Sequence, residues 1–174
     1  MSTPPLVVPK HTVDVEIRDS RGRLRQVELF LAGAEDTAPG ERLQDLLQLR
    51  RFIPVRTAGS GEAHTETGDL RASIEFLSRE HVLWVRVGLM TAIDELDLET
   101  ESAKEGVTAS VRVELEDGTQ LQGQLRYLLP SGARRVGDYL ESLSAYFPLR
   151  TADHLYLVRR DRVVAVVPQE EGVR

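Results

Sequence analysis

The chain has no cysteine among its 174 residues. Disulfides, thiolate nucleophiles and cysteine-based zinc sites are therefore excluded. Lysine is nearly missing too: Lys10 and Lys104 stand against 20 arginines, a bias that fits GC-rich coding and points to a bacterial source. No apolar run approaches the roughly 18 residues needed to cross a bilayer. The opening MSTPPLVVPK has no signal-peptide core, so the expectation is a cytoplasmic protein without membrane insertion. With 41% hydrophobic and 29% charged residues, the composition is that of a folded protein rather than a disordered one.

Catalytic patterns are also lacking. There is no glycine-rich phosphate loop, no nucleophile elbow and no helical His-Glu-x-x-His. The four histidines (His11, His64, His81 and His154) occupy different contexts, and none forms an i, i+4 metal pair with another. Glu80-His81 and Asp153-His154 are neighbours in sequence, which in a strand sends the two side chains to opposite faces. The expectation is a protein that is not an enzyme and holds neither metal nor cofactor.

What the chain does have is internal repetition. Val13, Val15, Glu16, Ile17 and Asp19 match Val111, Val113, Glu114, Leu115 and Asp117 at a constant offset of 98. Phe52 to Ala58 (FIPVRTA) answers Tyr146 to Ala152 (YFPLRTA), and Ile74 to Val87 aligns without a gap against Leu155 to Pro168. Three blocks in the same order imply a tandem duplication of one small domain. Nearly all of the formal net charge of −6 sits between the copies: residues 94–106 (DELDLETESAKEG) hold six acids against Lys104. The expected organisation is a first repeat over 1–93, an acidic linker over 94–106 and a second repeat over 107–174, the linker kept extended by self-repulsion.

Each repeat reads β-β-α-β-β-β. In the second, Val111, Val113 and Leu115 alternate with polar residues, as in a half-buried strand. Asp117-Gly118 reads as a two-residue hairpin turn whose central positions both tolerate positive φ. Leu121 to Tyr127 resumes the alternation, and Val136, Tyr139, Leu140 and Leu143 give a short amphipathic helix within 134–145. Tyr146 to Ala152 is extended, and Leu155 to Val167 makes a last hairpin. The first copy follows this plan with a longer first turn (Asp19 to Gly22) and an insertion over 59–69. The predicted class is mainly β (α+β). Short strands at this size close their edges best as a small, strongly bent, barrel-like sheet.

The run Val111-x-Val113-x-Leu115-x-Asp117-Gly118 through Gly123-x-Leu125 resembles the first signature of Sm-like, SH3-like small barrels, and the Leu155 to Val167 hairpin is similar to their second. That resemblance implies five bent strands, association through edge strands and, in that family, RNA binding. The RNA-contacting Asp and Asn have no counterpart near Tyr127 to Gly132, and Arg160-Asp161 stands where the family has Arg-Gly. The helix also lies after the second strand rather than before the first. The resemblance therefore carries the barrel and not the RNA site.

Two sets of residues are candidates for a site. Asp45 with Arg56, and Asp138 with Arg150, recur in both copies. Because retention in both copies points first to folding, each pair is expected to tie its helix to the following strand, and the alternative is an Arg-lined groove for a carboxylate or phosphate. Arg134, Arg135, Arg159, Arg160 and Arg162 form a candidate binding patch with Tyr127, Tyr139 and Tyr156 nearby in sequence. Arginines among aromatics suit single-stranded nucleic acid, yet residues 107–174 carry nine bases and nine acids, a poor match for a phosphate backbone. Arg21-x-x-x-Arg25 resembles half of the PilZ cyclic-dinucleotide motif, whose second half is absent. The expected function is a non-catalytic adaptor or scaffold that binds another protein, or itself, through edge strands. Nucleic-acid or nucleotide binding is the alternative.

Overall fold

Period-two alternation decides most of the chain. In β1 (Lys10–Asp19), Val13, Val15 and Ile17 are buried while Thr12 and Asp14 are exposed. In β2 (Leu24–Ala32), Val27, Leu29 and Leu31 are buried. The antiparallel register sets Val13 against Leu29 and Val15 against Val27, so all these side chains reach one face. The computed structural model describes residues 10–32, 39–57, 74–88, 107–127, 136–142 and 145–169. The acidic segment 94–106 and the insertion 59–69 lie outside these residues.

Helix α1 (Pro39–Leu49) buries Leu43, Leu46 and Leu47, one stripe at i, i+3 and i+4. It is followed by β3 (Phe52–Thr57), β4 (Ile74–Ser78), a single 3-10 turn at Arg79–His81 and β5 (Val82–Gly88). The second half consists of β6 (Val107–Leu115), β7 (Gln120–Tyr127), α2 (Val136–Ser142), β8 (Tyr146–Arg150), β9 (His154–Arg159), a 3-10 turn at Arg160–Arg162 and β10 (Val163–Pro168). Both halves thus run β-β-α-β-β-β, and the protein is mainly β.

The two hairpin turns differ from expectation in one respect. Among the described residues glycine alone takes positive φ, 76° at Gly22 and 81° at Gly118. In each turn the glycine N–H closes onto the carbonyl three residues back, Asp19 and Leu115 respectively. This is the three-residue loop ending in a left-handed glycine. The Asp117 carboxylate accepts from Thr119 N (3.0 Å) and Thr119 Oγ1 (2.8 Å). The first turn is therefore no longer than the second.

All the described strands join one antiparallel sheet in the order β10-β6-β7-β8-β9-β5-β1-β2-β3-β4. The halves meet where β9 pairs with β5, from Trp84↔Val158 to Gly88↔His154. Among the described residues the sheet is open, with β10 and β4 as its edges. The halves also share their cores. Tyr146, Leu155 and Leu157 of the second half are buried in the cluster built on β1, β2, β3, β5 and α1. Leu83 and Trp84 of the first half are buried in the cluster of the second. On β9, alternation sends Leu155 and Leu157 to the first core and Val158 to the second. On β5, Val85 and Val87 face the first core and Trp84 the second, while a register shift against β1 leaves Leu83 as an extra residue beside Trp84 in the second core.

Candidate functional site: the junction and the two free edges

The junction uses the arginines that read from sequence as a binding patch. Arg159 is buried, and its guanidinium bonds the Asp161 carboxylate through Nε and Nη2, the latter at 2.7 Å. Its Nη1 donates to the Arg79 carbonyl of the first half at 2.7 Å. The bond from Arg159 holds the Asp161 carboxyl below the ordinary aspartate range. Arg162 donates to both Glu116 carboxylate oxygens at 3.0 Å and to the Glu80 carbonyl at 3.4 Å. Arg160 donates to the Glu141 carbonyl of α2 at 3.3 Å. Arg134 and Arg135 lie outside the described residues. Two of the patch arginines thus join the halves and one holds a helix end.

Several junction residues carried no signal read from the sequence. The buried Tyr146 hydroxyl lies 3.1 Å from the Arg79 carbonyl and 3.2 Å from the Val82 carbonyl, towards which it donates. Burial pushes this phenol above its ordinary pKa, so it stays a neutral donor. Arg79 also donates to the Leu47 and Gln48 carbonyls at the end of α1, where a cation suits the helix dipole. Arg79 aligns with Arg160 in the gap-free block, and that alignment was the available clue. Arg18 bonds Asp117 at 3.0 Å, and Arg86 bonds Glu16 at 2.7 Å and stands opposite Tyr156 across the junction.

The two arginines expected to tie a helix to its following strand sit in different surroundings. Arg56 is paired with Glu28 and stacks over Phe30, 5.5 Å from its ring centroid. The strand register explains this, since Glu28 and Arg56 are directly opposite on β2 and β3. Asp45 on α1 is exposed. Arg150 is also exposed and lines a shallow, open groove with Gln122, Gln124, Thr151 and Gln169. The Asp138 side chain lies outside what is described. Beneath this groove Gly123 packs so closely that a Cβ there would stand 2.6 Å from the Arg150 carbonyl oxygen.

A second groove, of about 180 Å³, holds Arg21, Arg23, Arg25 and His81 beside β4. Arg25 is taken by Glu75, and the volume falls below the roughly 300 Å³ at which small-molecule sites begin. Among the described residues no cluster of three or more His, Asp or Glu is placed to hold a metal ion, and no helix is long and apolar enough to cross a membrane.

The remaining feature is the pair of sheet edges. On β4, Ile74 and Phe76 are exposed, as is Phe52 on the neighbouring β3. On β10, Val164 and Val167 are exposed, and Val163, Ala165 and Val166 are half-buried. An apolar edge with a free backbone ladder is a template for another strand unless charge or proline blunts it. Glu75 and Pro168 are the residues of that kind on these two strands. Set against known proteins, the chain matches no family model, no curated protein and no solved structure.

Proposed function

We propose that the chain is a tandem duplication of a small, strongly bent, barrel-like β-domain and acts as a non-catalytic interaction module, an adaptor or scaffold in a bacterial cytoplasmic assembly. The observation that carries this reading is the ten-stranded sheet that ends in apolar edges on both sides. Strand addition supplies affinity through main-chain hydrogen bonds and selectivity through alternate side chains, and both are on offer at β4 and β10. Two edges on one rigid sheet hold two partner strands at a fixed separation, which favours a repetitive target through effective concentration. Nucleic-acid binding is the weaker reading, because Arg159 and Arg162 already answer Asp161 and Glu116.

The test is co-purification from cells with tagged wild type and with Phe76→Lys/Val164→Lys. Both positions are exposed, so the variant should fold. The expected result is a defined protein co-purifying with wild type and lost with the variant. Nucleic acid in the eluate, or a partner indifferent to the edges, would overturn the reading.

A further inference from the structure

We propose that the chain assembles head to tail with further copies of itself, β4 of one copy pairing with β10 of the next in the register by which β9 pairs with β5 inside each copy. The inference deepens the interaction-module reading and rests on the duplication proposed there.

The strand order carries it first. Taken from the β10 end, the halves run β10-β6-β7-β8-β9 and then β5-β1-β2-β3-β4. In each, the fifth strand of the half leads, followed by its first, second, third and fourth. The internal contact is therefore fourth strand against fifth strand, two different surfaces. Such a contact is heterologous and leaves one copy of each surface unused. The unused fourth strand is β4 and the unused fifth strand is β10.

Burial carries it second, and independently. Tyr146, Leu155 and Leu157, the second-half residues that enter the first-half core, are 0%, 6% and 1% exposed. Their aligned positions in the first half are Phe52, Ile74 and Phe76, which are 53%, 53% and 65% exposed. On the other side, Leu83 enters the second-half core at 0% exposure, and its aligned residue Val164 is 66% exposed. Four apolar side chains stand in solvent at the positions whose equivalents the junction covers. Most of the large exposed hydrophobics of the described residues belong to this set.

The register transfers residue by residue. Trp84↔Val158, Val85↔Leu157, Arg86↔Tyr156 and Val87↔Leu155 become Ala165↔Leu77, Val166↔Phe76, Val167↔Glu75 and Pro168↔Ile74. Pro168 has no N–H to donate, so the intermolecular ladder is shorter than the internal one and the contact correspondingly weaker. Each added copy extends the sheet by ten strands. The assembly closes into a ring if the rotation per copy closes and grows as a filament otherwise.

The experiment is light scattering and native mass spectrometry on the purified full chain and on two edge variants. One variant blocks β4 (Ile74→Lys with Phe76→Lys) and the other blocks β10 (Val164→Lys with Val167→Lys). Wild type should show discrete multiples of the 19.5 kDa chain that grow with concentration. Each variant alone should fall to the single-chain mass, and an equimolar mixture of the two should form a dimer and nothing larger, because one intact β4 and one intact β10 remain. Glutamate at the same positions replaces lysine where circular dichroism shows lost strand signal.

A single-chain mass for wild type at every concentration would overturn self-assembly. It would leave the interaction-module reading standing, since co-purification does not depend on contact between copies. A dimer that persists in either variant alone, or a mixture that forms none, would also overturn the head-to-tail contact.

Discussion

Leu157→Ala and Phe76→Ala change aligned positions, yet they should differ sharply in stability. Leu157 lies between Val85 on β5 and Pro148 on β8, almost wholly buried in the first-half core. Ladders on both sides hold its neighbours apart, so the space left by alanine cannot collapse. The cost belongs in the upper part of the range for buried leucine, about 4 kcal/mol. A chain of this length loses about 2–4 °C per kcal/mol, so the melting temperature should drop by about 8–16 °C. Phe76 is exposed on the β4 edge, and its replacement should change stability by about 0.5 kcal/mol or less in dilute solution. Calorimetry and guanidinium titration of dilute samples measure both. Each protein should show one transition, because a shared core makes the halves a single cooperative unit. Two transitions, or melting temperatures for the two variants that agree, would refute the shared core.

Gly123→Ala should destabilise by about 1–3 kcal/mol, since the new methyl meets the Arg150 carbonyl, whereas Gly137→Ala in α2 meets nothing within 4 Å and should stabilise by about 0.5–1 kcal/mol; denaturant midpoints decide both. The Asp161 carboxyl titrates below its ordinary value because of Arg159, so its contribution is present above about pH 3.9 and is lost as pH falls through the depressed folded value. Melting curves taken from neutral to acid pH should therefore show a loss at the acid end that Asp161→Asn reduces. Cutting the chain within 94–106 should leave 1–93 and 107–174 bound to each other, because each supplies buried side chains to the other's core. Size-exclusion chromatography of the cut protein should give one peak, and two separating, folded fragments would contradict the junction.

Much of this structure is legible in the amino-acid sequence. The alternation of Val13, Val15 and Ile17, the glycines at 22 and 118, and the spacing of Leu43, Leu46 and Leu47 are local patterns, and local patterns set strands, turns and helix faces. Hence the order β-β-α-β-β-β in both halves. Other features were invisible. Arg56 meets Glu28 rather than Asp45 because strand register, set by pairing across the sheet, places them opposite. Arg159, Arg160 and Arg162 read as a basic patch because nothing local shows that Asp161, the Glu141 carbonyl and Glu116 receive them. The aligned pairs Phe76 and Leu157, and Val164 and Leu83, show the boundary most clearly. The sequence by itself determines that each of these positions is apolar and lies on a strand. Only the tertiary structure decides that Leu157 and Leu83 are buried while Phe76 and Val164 face solvent, because burial depends on which strand lies alongside, and β9 found β5 where β4 and β10 remain edges.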